Sequence, residues 1–93
     1  MAQVDVTITG ASRSARLNWA GTAITLTETG GGNYAASFQK AAGAYVYSIV
    51  VFGDPEDAWT AKTTDGATTQ NFAGHMSPSG MDTTGDTRFT VAA

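Results

Sequence analysis

Apolar and polar residues alternate with a period of two through most of this 93-residue chain, the spacing that sends successive side chains to opposite faces of a β-strand. Val4, Val6 and Ile8 alternate with Asp5, Thr7 and Thr9, and the run closes at Gly10-Ala11-Ser12. Ala15, Leu17 and Trp19 alternate with Arg16 and Asn18, after which Ala20-Gly21-Thr22 turns the chain. Ile24 and Leu26 alternate with threonines and predict a third strand with its Thr side in water. Gly30-Gly31-Gly32-Asn33 reads as a loop, and Tyr34, Ala36 and Phe38 form one face of a fourth strand.

The chain is organised around Tyr45 to Gly53, YVYSIVVFG, its longest apolar run. Tyr45, Tyr47, Ile49 and Val51 make one face; Val46, Val50 and Phe52 make the other, broken only by Ser48. β-branched and aromatic content, with Gly53-Asp54-Pro55 as the stop, specifies a strand. A strand apolar on both faces would invite aggregation at an open edge, so its place is inside a sheet. The same pattern predicts that Val50→Asp buries an unpaired charge and abolishes folding. Gly43-Ala44-Tyr45 is similar to the Gly-x-Tyr at the corner of immunoglobulin-like sandwiches, where the tyrosine bonds back to the main chain.

Beyond Pro55, residues 58–64 and 67–73 flank Asp65-Gly66, a two-residue hairpin signal. That loop would pair Thr64 with Ala67 and set Trp59 opposite Phe72. Residues 74–86 show no periodicity and read as the longest loop, and Phe89 and Val91 finish the chain as a last strand. No stretch has helical apolar spacing with caps. The expected fold is therefore all-β: residues 1–93 as one immunoglobulin-like β-sandwich of about 7–8 short antiparallel strands. A small closed barrel is the competing architecture.

Composition narrows the function. Hydrophobic residues are 42% and charged ones 14%, which speaks against disorder. Cysteine is absent, which removes disulfides, thiol catalysis and thiolate metal sites. Net charge is −3 and the five basic residues are scattered, so no positive face is expected to receive nucleic acid. No apolar run approaches the roughly 18 residues of a membrane-spanning helix. The N-terminus lacks a signal-peptide pattern, leaving a cytoplasmic protein or an excised piece of a secreted one.

Candidate chemistry is sparse. His75, the single histidine, could act as a general base only with an orienting carboxylate and a nucleophile beside it; its bland reading is a surface loop residue. Asp54, Glu56 and Asp57, with Asp82 and Asp86, could offer oxygen ligands to calcium, although their spacing matches no EF-hand and turn chemistry accounts for them equally. No other cofactor is implied, and the chain reads as non-catalytic. Trp19 and Trp59 remain, either as core residues or as rings stacking on sugars.

Several of these segments together resemble a known family. They are Leu17-Asn18-Trp19, Ile24-Thr25-Leu26-Thr27, Gly32-Asn33-Tyr34, and Gly43-Ala44-Tyr45-Val46-Tyr47-Ser48-Ile49-Val50-Val51 followed by Gly53 and Trp59. Their order resembles the immunoglobulin-like starch- and glycogen-binding modules across residues 4–60. The resemblance implies a lectin-like, non-catalytic module binding an α-glucan-like carbohydrate through exposed Trp19 and Trp59, with Tyr34, Asn18 and Ser48 as further contacts. Ser48 stands where the family often carries a sugar-contacting Lys, the Trp19 segment is shorter than the family's, and Asp54 to Ala58 lengthen the approach to Trp59. The alternative is a structural or protein-interaction sandwich, oligomerising through an edge strand, with both Trp residues in the core and apolar surface elsewhere.

Overall fold

The computed structural model describes residues 2–92. They form ten strands: β1 Ala2–Thr9, β2 Ser14–Trp19, β3 Thr22–Ile24, β4 Thr27–Gly30, β5 Asn33–Lys40, β6 Gly43–Phe52, β7 Ala58–Thr64, β8 Thr69–His75, β9 Met81–Thr83 and β10 Thr87–Val91. No helix occurs among the described residues. One sheet, sheet A, runs β4-β5-β1-β7-β8, and the other, sheet B, runs β10-β6-β2-β3 with β9 also on β6. Every pairing is antiparallel.

β6 is the interior strand that its apolar sequence demands. β2 pairs with residues 47–52 on one side, while β10 and β9 cover the first and last parts of the other. The gap between β9 and β10 is closed at Ile49, whose carbonyl accepts from Thr84 N at 3.0 Å and whose N–H donates to Thr84 Oγ1 at 3.0 Å. Tyr45 makes the expected corner, its hydroxyl donating to the Ala41 carbonyl at 2.8 Å.

The arrangement is that of the immunoglobulin sandwich through most of its length. β1, β5 and β4 lie side by side as that fold's B, E and D strands, and β3, β2 and β6 as its C′, C and F strands. β10 takes the place of G, and β7 occupies the position of A beside β1. Trp19 thus stands on the strand that carries the buried tryptophan of immunoglobulin domains.

Four expectations change. Ile24 and Leu26 do not belong to one strand: β3 lies in sheet B and β4 in sheet A, so Thr25-Leu26 carries the chain across the roughly 10 Å between layers. The supposed loop at 74–86 contains the end of β8 and all of β9. These breaks raise the count from the expected 7–8 strands to ten.

The β7–β8 hairpin is the third. Thr64 pairs with Thr69, Ala61 with Phe72 and Trp59 with Gly74, so the loop has four residues rather than two. Asp65 stabilises it, its Oδ1 accepting from Ala67 N at 2.9 Å and Thr68 N at 2.7 Å. The two-residue turn falls instead at Ala20-Gly21, between paired Trp19 and Thr22. Both turn residues there have positive φ, 50° and 84°, as a type I′ hairpin requires.

The fourth concerns the faces of β6. Tyr47, Ile49 and Val51 are buried, whereas Val50 and Phe52 are half-buried and Val46 is exposed. Val50 faces outward, so Val50→Asp does not bury a charge in the core; Ile49 is the position with that property. The outer face is covered by side chains instead of a layer, with the Arg16 guanidinium 6.0 Å from the Phe52 ring centre.

Candidate functional site

The residues implied in sugar binding are dispersed by the fold. Trp19 is 0% and Trp59 3% exposed, so neither ring presents a face for stacking. Asn18 and Ser48 do meet as cross-strand partners on the outer face of sheet B, but alternation turns Trp19 to the opposite side. Asn18 also caps its own turn, its Oδ1 accepting from Gly21 N at 3.0 Å. Tyr34 belongs to sheet A, pairs with Ile8 and packs against the core. The exposed-Trp expectation is therefore corrected: both indoles are interior.

Physics explains why the core retains them. Trp19 is ringed by Phe38 at 5.0 Å, edge-on, and by Tyr47 at 4.9 Å, stacked, with Tyr45 and Phe89 at 5.6 and 5.9 Å. Such pairs contribute about 0.5–1.5 kcal/mol each beyond their buried area. Among the described residues the Trp19 Nε1 nitrogen has no hydrogen-bond partner.

Trp59 has one. Its Nε1–H on β7 donates to Asp82 Oδ2 on β9 at 2.8 Å, joining the two sheets. Gly74 makes room for this bond: a Cβ there would lie 2.7 Å from Asp82 Oδ2 and 3.0 Å from Trp59 Nε1. Asp82→Ala orphans the nearly buried indole N–H and is expected to lower stability by about 1–3 kcal/mol. Urea unfolding followed by Trp emission reads it, and an unchanged midpoint would show that the bond contributes nothing.

A second polar link crosses between the sheets. The Tyr47 hydroxyl donates to Gln70 Oε1 at 2.7 Å and lies 3.1 Å from Thr63 Oγ1, and Gln70 Nε2 donates to the Arg88 carbonyl at 2.8 Å. Burial pushes the Tyr47 phenol above its ordinary pKa, with the Thr63 bond opposing, so it stays a neutral donor.

The carboxylates read as calcium candidates are occupied or apart. Asp54 pairs with Arg13 at 3.2 Å, both exposed, and Asp82 is held by Trp59. Glu56, Asp57 and Asp86 are exposed on loops. Among the described residues no three His, Asp or Glu side chains gather where they could hold a metal ion. His75 ends β8 opposite Ala58. Asp82 reaches the inner side of the preceding Gly74, so alternation directs His75 to the other face of β8.

Two carboxyl groups are held in their charged form. Asp65 lies below its ordinary pKa of 3.8 chiefly through the backbone N–H of Ala92, then Thr68; Asp5 does so through the hydroxyl of Ser37, then Gln3. Because folding lowers these pKa values, the unfolded chain takes up protons first as pH falls. Their stabilisation is complete above the ordinary carboxyl range and is lost as pH drops through the folded values. Thermal midpoints at about pH 6 and about pH 3 should differ less in Asp65→Ala than in the wild type. Equal pH dependence in the two proteins would refute the assignment.

The surfaces remain. On the outer face of sheet A, Thr7, Thr9, Thr60, Lys62, Asn71 and Ala73 line a shallow concavity of about 470 Å³. On the outer face of sheet B, Val46 (47% exposed) and Met81 (43%) extend the apolar stripe of Val50 and Phe52. Arg16 and Arg88 flank the stripe as partners of Val50 and Val46. Sequence reading missed this stripe by assigning it to the interior; its signal was the second apolar face of β6. Comparison of the chain with family models, curated proteins and solved structures finds no match.

Proposed function

We propose that this domain is a non-catalytic structural and protein-interaction module, with both tryptophans serving its core. The observation carrying this reading is the burial of Trp19 and Trp59 in a fold that leaves apolar surface on the outside of sheet B. A sugar-binding module of the kind the sequence resembles needs an exposed ring, whereas an interaction module needs a rigid core and an accessible face. The inter-sheet bonds of Trp59 and Tyr47 support the rigid core.

Acrylamide quenching combined with glycan titration tests the reading. Quenching of native Trp emission is expected to be far weaker than in the urea-unfolded chain. Soluble α-glucans and a panel of other glycans are expected to leave the emission and the thermal midpoint unchanged. A saturable midpoint increase with any glycan would restore carbohydrate binding and reject this proposal, since a ligand binding only the folded state must stabilise it.

A further inference from the structure

We infer that β8 is a dimerisation edge, on which a second copy of this chain adds its own β8 antiparallel, joining two copies of sheet A into one continuous sheet. The inference rests on the interaction-module reading and names its partner. Strands at the margins of a sheet carry a row of unpaired N–H and C=O groups, and proteins usually blunt them with charge, proline, bulges or short length. β4 has four residues, carries Glu28 and shifts register between Glu28 and Gly30. β3 and β9 have three residues each, and β10 has five and carries Arg88. β8 has seven, TQNFAGH, without Asp, Glu, Lys, Arg or Pro and without a register shift.

β8 is also already fixed for pairing. Gln70 is bonded to Tyr47, the Phe72 ring packs edge-on to Tyr47 at 6.3 Å, and Gly74 lies beneath the Trp59–Asp82 bond. Little ordering remains to oppose association.

The occupant follows from self-complementarity. A twofold axis at Phe72 sets Gln70 against Gly74 and Asn71 against Ala73, a larger side chain facing a small one each time, and Thr69 against His75. A foreign peptide would meet the same backbone groups, but no charge on β8 would select it. The Asp82 carboxylate lies against Gly74 but is taken up by the Trp59 indole N–H; on the outer face the nearest fixed charges, Lys62 on each β7, would stand three strand spacings apart, about 14 Å, beyond the Debye length of about 8 Å at physiological salt.

Sedimentation velocity over about 1 μM to 1 mM should show a monomer–dimer equilibrium. Asn71→Glu/Ala73→Glu places like charges opposite one another twice across the axis and should weaken the dimer about tenfold. Asn71→Glu/Ala73→Lys makes both pairs attractive and should restore it. Residues 71 and 73 are exposed, and circular dichroism checks that both variants stay folded. As an independent measure, amide protection in residues 69–75 of the wild type should rise with concentration. A wild type monomeric throughout, or a dimer indifferent to both variants, overturns the inference. Neither result bears on the glycan titration, so the two proposals fail separately.

Discussion

Trp19→Ala is expected to lower the unfolding free energy by about 3–5 kcal/mol, the range for removing a large aromatic from a packed core. A domain of this length has a total stability of roughly 5–14 kcal/mol, so the variant would be marginal at room temperature. The magnitude follows from position. Trp19 is fully buried, and four aromatic rings from β5, β6 and β10 converge on it. Both sheets contribute, so the surroundings cannot collapse into the vacated space without moving one layer toward the other. Trp19→Phe separates packing from polarity: the smaller ring leaves some cavity but removes the unpartnered indole N–H, and a net loss of about 1–2 kcal/mol is expected. Equilibrium urea unfolding measures both. A loss below about 1 kcal/mol for the alanine variant would contradict the central place of Trp19 in the core.

Gly10→Ala is expected to cost about 2–5 kcal/mol, for two separable reasons. Gly10 has φ +94°, and a Cβ there would sit 2.5 Å from the Ala58 carbonyl oxygen and 3.0 Å from Trp59 Cα. The backbone conformation alone costs a side chain about 1–2 kcal/mol, and the overlap with rigid backbone adds about 1–3. Gly66→Ala is the control: its φ is +91°, but nothing lies within 4 Å of the added carbon. The difference between the two variants isolates the steric part. Equal losses would mean that the end of β1 yields freely over the start of β7.

Why some features were legible in the sequence and others were not can be traced to particular residues. The period-two runs at Val4-Val6-Ile8 and Leu17-Trp19 map onto inward faces without exception, because one-sided burial leaves a one-sided pattern. The interior position of β6 and the Tyr45 corner were readable from local residue types, although the second apolar face that pointed to the former lies on the outside of the sheet. What sequence did not disclose depends on distant partners. The β7–β8 register, and with it the four-residue loop, sets Gly74 opposite Trp59, where the missing side chain admits Asp82, and Asp65 in that loop also accepts from Ala92 N. Only the folded chain brings residue 82 there. β9 was invisible because three residues without alternation carry no period. Its strand character comes from the ladder that β6 offers. The candidate sugar site failed where local pattern was ambiguous: Trp19 and Trp59 each stand among apolar alternates, a context that fits a core ring and a binding ring equally.

The mending of one side of β6 by two short strands has a bearing on synthesis. β2 arrives before β6 in the chain, but β9 and β10 come last, at residues 81–83 and 87–91. While the polypeptide leaves the ribosome, the most apolar strand of the domain is therefore completed with one flank open, and stays so until residues 81–91 emerge. An open apolar flank in a nascent chain is a template for wrong pairing between neighbouring chains. That flank closes only once residues 81–91 are available to pair, and a ribosome stalled before them holds a chain whose β6 has one side unpaired.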